Sequence, residues 1–162
     1  MYIPRRVVLV LVAIGALVFA LSASGSSRDN GNGEALVRSG LAPSVPTDPA
    51  FHGIAAAGAP WVLSDSSVRL KASGELDISI DGLILPSLGT AGPVTTVSAS
   101  LLCGGDANAS RAATTGTFPL SQAGDARIEE TLSLPATCLA PIFVIHPNGR
   151  TAAYIAVSGW KP

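Results

Sequence analysis

Few residues in this 162-residue chain can do chemistry, and their spacing limits what they can do. It has 2 histidines, 2 cysteines and 1 methionine. His52 and His146 stand far apart, in no His-Glu-x-x-His or similar ligand spacing, so their expected roles are structural or solvent-facing. Asp106, Asn108 and Ser110 alternate as oxygen ligands do at the start of a calcium loop. Arg111 then takes the sixth position, where glycine is needed, and Thr117 the twelfth, where glutamate is needed. A standard calcium loop is rejected, which leaves only an irregular site; no metal and no cofactor is expected. Asn108-Ala109-Ser110 is also a glycosylation sequon. There is no Gly-x-Ser-x-Gly elbow for a serine nucleophile and no glycine-rich phosphate loop.

Glu130 is the one charge out of pattern. It falls in phase with Ile128 and Leu132, so it should point at an apolar face. Burial there would raise its pKa, as it does for many catalytic carboxylates. The plainer reading places it at a sandwich rim or beside an arginine. No second carboxylate can be assigned as its partner, so glycosidase chemistry is unsupported. Aromatic side chains on a sandwich surface can bind sugars or partners, but Trp61 and Trp160 are more often core or edge plugs. The weak binding candidates are therefore Trp61, Glu130, His146 and Tyr154, and no catalytic residue is assigned.

The elements that must position these residues have period two. Val68, Leu70 and Ala72 alternate with Arg69, Lys71 and Ser73, and Leu76, Ile78 and Ile80 with Asp77, Ser79 and Asp81. For Leu70 to face Ile78 the connection must hold an odd number of residues, which predicts a Ser73-Gly74-Glu75 loop with Lys71 opposite Asp77. Val97, Ala99, Leu101 and Cys103 share a face, with Thr96, Ser98 and Ser100 opposite. Ala126, Ile128, Leu132 and Leu134 share another. Ile142 to Ile145 is apolar on both faces, as a central strand would be. Asn148-Gly149 is a favoured type I′ hairpin pair, which would set Phe143 opposite Tyr154 and Ile142 opposite Ile155. Seven or eight short strands, with no convincing amphipathic helix, predict an all-β fold: an antiparallel β-sandwich of immunoglobulin-like type over residues 53–162.

The N-terminus reads as an export signal over residues 1–23. Arg5 and Arg6 precede an apolar run, Val7 to Leu21, followed by Ser22, Ala23, Ser24 and Gly25. As a helix the run spans roughly 22 Å, short of the ~30 Å hydrocarbon core, so a cleaved signal of the general secretory route is preferred to a permanent anchor. A membrane role would then need residues 7–21 to stay uncleaved. Residues 24–52 are rich in Gly, Ser and Pro and read as a flexible linker. In an exported protein Cys103 and Cys138 read as one disulfide. The alternative, a reactive or metal-binding thiol pair, lacks Cys-x-x-Cys spacing and a nearby histidine.

Composition agrees with this. Charged residues are 13% of the chain and formal net charge is −1, which argues against a nucleic-acid-binding surface. Without residues 1–23 the chain keeps 8 basic and 11 acidic residues.

Pro60-Trp61-Val62-Leu63, Gly82-Leu83-Ile84-Leu85-Pro86, Val97 to Cys103 and Leu134 to Pro141 together resemble segments of small secreted actinobacterial proteins of unknown function. The resemblance covers roughly residues 53 to 160, and the two cysteine segments are its most specific part. It implies export, a paired-cysteine β-domain and no established activity. The expected function is that of a secreted or envelope-associated module, binding or structural and not an enzyme, with an extracellular or cell-wall ligand. The alternative is a secreted hydrolase or metal-dependent enzyme using Glu130 and His146.

Overall fold

A computed structural model describes residues 34–50, 52–104 and 111–159. The expected signal, residues 1–23, lies outside the described residues, as do Trp160 and the Asp106-Asn108-Ser110 segment. The chain divides into a unit over 1–30 and a compact unit over 31–162, and the second holds all the structure described below.

Its strands are Ala35–Ser39 (β1), Leu41–Pro43 (β2), Ala55–Ala56 (β3), Asp65–Lys71 (β4), Glu75–Asp81 (β5) and Thr96–Leu102 (β6). They continue as Arg111–Thr114 (β7), Phe118–Pro119 (β8), Ala126–Thr131 (β9), Ile142–Pro147 (β10), Ala153–Tyr154 (β11) and Ala156–Ser158 (β12). No helix occurs among the described residues. One sheet has the order β1-β4-β5-β9. The other runs β2-β12-β10-β6-β7, with β8 also on β6. Pairing within both sheets is antiparallel.

The sheets pack as a sandwich because each alternating strand turns one apolar row inward. Val68, Leu70, Leu76, Ile78, Ile80 and Ile128 from the four-stranded sheet meet Val97, Ala99, Leu101, Phe143 and Ile145 from the other in one buried cluster. At about 25 cal/mol per Å² of apolar surface removed from water, this interleaved layer is the main source of stability. Cys103 and Cys138 form a disulfide with a Cα–Cα distance of 4.9 Å. It ties the end of β6 to the segment between β9 and β10.

Three local expectations are corrected. The β4–β5 loop has three residues, but they are Ala72-Ser73-Gly74. Gly74 N–H donates to Lys71 C=O at 2.9 Å. Leu70 therefore faces Leu76, and Asp77 faces Arg69. Gly74 sets this register: it has φ 88°, and a Cβ there would stand 2.1 Å from the Leu132 carbonyl oxygen. The shift is by two residues, so every side chain keeps its face.

The second correction concerns Asn148-Gly149. The turn forms as expected, with φ 48° and 66° and Arg150 N–H on Pro147 C=O at 2.9 Å. The strand after it does not rejoin at once. Val144 pairs with Val157 and Ile145 with Ala156, four residues beyond the expected register. Residues 150–154 instead leave the ladder, and β11 pairs in parallel with β3.

The third concerns the linker. From Ala35 the expected 24–52 spacer is part of the sandwich: β1 pairs with β4 and β2 with β12. Proline does favour extended chain here, and an extended chain with Val37 inward serves as an edge strand. Such edges tolerate the missing N–H of Pro43. Trp61 lies ahead of β4, which begins at Asp65, and its backbone N–H donates to Ser44 C=O just past β2.

Candidate functional site

The excursion of residues 150–154 covers the outer face of β6 and β10, where the sequence pattern implied a wet row on β6. Ser98, Ser100 and His146 are all buried there. A second apolar cluster of Ile54, Leu102, Val144, Tyr154 and Val157 packs beside them. His146 uses both ring nitrogens. Nδ1 lies 2.7 Å from Ala153 C=O and Nε2 lies 2.8 Å from Ser100 Oγ. A carbonyl can only accept, so Nδ1 carries the proton and Nε2 accepts from the Ser100 hydroxyl. Ser100 Oγ in turn lies 2.8 Å from Thr114 Oγ1, which must then donate. Burial pushes the His146 pKa below its usual 6.5; the Ala153 carbonyl opposes this and nearby Arg111 reinforces it. Arg111 also donates to Thr151 C=O at 2.9 Å, a second tie on the excursion.

A hydroxyl on Nε2 with an acceptor on Nδ1–H is the contact order of a serine–histidine catalytic pair. Here Ser100 and His146 both have 0% exposure, so no substrate reaches the hydroxyl. The chain of bonds holds the cover on the sheet.

The other candidates lie elsewhere. Glu130 keeps its inward phase but sits half-buried at the rim, where Oε2 accepts the Gly116 N–H at 2.9 Å. Tyr154 is buried, its hydroxyl donates to Pro49 C=O at 3.0 Å, and burial with the nearby Asp48 charge raises its pKa. Glu130 and His146 belong to different sheets, and His146 faces away from the shared core.

Glu130 also lines a polar groove of about 350 Å³ with Glu75, Asp77, Glu129 and Thr131. Two further cavities, with apolar walls, open into the sandwich. One of about 400 Å³ is lined by Trp61, Leu85, Val94, Pro147, Arg150 and Ile155. Trp61 is 4% exposed and its indole N–H finds no partner among the described residues. Asn148 shapes one wall. Its Oδ1 accepts from Thr95 and Thr96 N–H at 3.0 and 3.2 Å, and its Nδ2 donates to Pro93 C=O at 3.2 Å. The second cavity, about 270 Å³, lies over the disulfide and is lined by Leu36, Leu70, Leu101, Leu134 and Pro141. Among the described residues no group of three or more His, Cys, Asp or Glu is placed to hold a metal.

Sequence reading missed Ser100, Thr114 and Asn148. The in-phase placement of Ser100 and His146 on adjacent central strands was the available signal, masked because Ser98 and Ser100 look like an ordinary wet row. No family model matches the chain, and no curated protein or solved structure matches it.

Proposed function

We propose that the chain is an exported, envelope-associated β-sandwich module that binds a ligand without transforming it. One observation carries the reading: the two cavities that open into the sandwich have mainly apolar walls, while His146, Tyr154 and Glu130 are committed to internal hydrogen bonds, Glu130 at the edge of a separate acidic groove. The disulfide supports export, because such bonds persist in oxidising compartments. The charged leader with its fifteen-residue apolar run supports it independently. The ligand is an extracellular or cell-wall component, and no cofactor or nucleic acid takes part. Hydrolysis by Glu130 and His146 would need them at one cleft, and their positions on separate sheets weigh against that reading.

The test uses the chain secreted by its own host. Mass spectrometry of the N-terminus should find cleavage within Ser22 to Ser24, after Ser22 or Ser24, where both small positions are satisfied. The secreted chain should then be retained by cell-wall glycan, envelope lipid or a secreted protein, and leave a panel of esters and glycosides intact. Turnover that disappears in Glu130→Gln would overturn the reading, as would failure to bind every envelope fraction.

A further inference from the structure

The loop between β9 and β10 crosses from one sheet to the other with few ties. Its nine residues, 133–141, belong to no strand. Among the described residues one backbone hydrogen bond fastens it to the sandwich: Gly104 N–H donates to Leu139 C=O at 2.7 Å. The disulfide joins the same two places, Cys103 beside Gly104 and Cys138 beside Leu139. Both fastenings therefore meet at one point of the loop. Beneath it lies the cavity of about 270 Å³, where Leu134, Pro135 and Pro141 of the loop roof over Leu70 and Leu101 of the core.

The roof is held down against opposing costs. Ordering nine residues loses conformational entropy. Ala140 adds strain, since its φ of 45° lies in the left-handed region that suits glycine. Little apolar burial offsets this: Pro135, Ala136, Leu139 and Ala140 are exposed, Leu139 at 72%, and Leu134 is half-buried. The flanking strands keep their own ladders, β9 to β5 and β10 to β6 and β12, so the loop can part from the core without undoing either sheet. Cys103 and Cys138 are themselves only half-buried, and exposed disulfides are the labile, regulatory ones.

We propose that the Cys103–Cys138 bond is a redox latch that keeps this loop closed over the cavity and is opened by a dithiol. A thiolate of the dithiol attacks one sulfur and forms a mixed disulfide, while the other cysteine leaves and takes up a proton. The second thiol of the dithiol then displaces the remaining cysteine. The dithiol ends as its own disulfide, and two electrons and two protons have passed to the protein. The loop swings out, Ala140 relaxes, and Leu70 and Leu101 come to line an open apolar groove. The latch regulates one of the two cavities of the binding reading above and rests on that reading for its ligand.

The test uses the secreted chain, without denaturant, in dithiothreitol poised at graded ratios of its reduced and oxidised forms. The bond should open, and on reduction the Gly104 amide should exchange with solvent at least about tenfold faster. Chymotrypsin should cut at Leu139 at least about tenfold faster, and anilinonaphthalene sulfonate should brighten on the uncovered leucines. The amides of β10 should stay protected, and reoxidation should reverse every change. Ala140→Gly removes the strain that opening relieves, so its half-reduction should need about threefold more reductant. A bond that resists the dithiol until denaturant is added would overturn the proposal. So would unchanged Gly104 exchange and Leu139 cutting, or an unmoved Ala140→Gly midpoint. Loss of β10 protection together with the loop would also overturn it, by making the bond a staple for the whole sandwich. Failure to bind any envelope fraction removes the binding reading and leaves the latch standing, whereas a resistant bond removes the latch alone.

Discussion

The outer faces of the two sheets are built on opposite plans. On the four-stranded sheet Asp77, Arg127 and Glu129 meet solvent, and Arg127 bonds both Asp77 and Glu129. On the other sheet Ser98, Ser100 and His146 lie under residues 150–154 with their polar groups paired internally. Both rows read as polar in sequence. The difference lies in the cost of error: an exposed ion pair can dissolve into water, whereas a buried donor or acceptor that loses its partner stays desolvated.

That contrast can be broken in four ways, from large to small. Replacing Cys103 and Cys138 by serine opens a link with a sequence separation of 35 and should cost about 3.8 kcal/mol in the chain-entropy model, read by urea denaturation. This sets the scale for the seam that both sheets share. On the covered face, His146→Ala should cost about 3 kcal/mol, since it opens a cavity and strands the Ala153 carbonyl and the Ser100 hydroxyl. Hydrogen exchange at 150–155 should quicken with it. A cost below 1 kcal/mol would show that the cover needs no such tie.

Acid should act on the same place. The folded-state pKa of His146 is depressed, so the unfolded chain binds the proton more readily. Stability is then fully present above the unfolded-state value of about 6.5 and falls as pH drops below it toward the folded value. His146→Gln should flatten that part of the stability profile, and an unchanged profile would move the effect to another group. On the open face, Arg127→Ala should leave stability nearly unchanged, and the small effect should shrink further in added salt. If it matched His146→Ala, the two faces would not differ as described.

The same contrast explains what could be read from sequence. Alternation located the strands and kept the faces of β4 and β5 correct even though their register slipped by two, because parity survives such a slip. Proline content hid β1 and β2, whose own apolar signal is little more than Val37 and Leu41. The disulfide and the central position of β10 were legible from local residues and from the export context. The cover was not. Its ties run from Arg111 to Thr151, 40 residues apart, and from β6 to His146 across 46 residues. No local pattern carries partners so distant. Asn148 was legible as a turn residue, but its three side-chain bonds to the 93–96 segment depend on where another loop passes.

One pairing has a consequence for how the molecule comes into being. β12, at the far end of the chain, lies between β2 near its start and β10. A ribosome or a translocation channel delivers residue 41 long before residue 158. Until β12 emerges, β2 has no ladder partner and β10 lacks one side. The closing of this sheet therefore waits for β12, and any nascent chain cut short of Ala156 is left with an open edge for quality-control proteases to find.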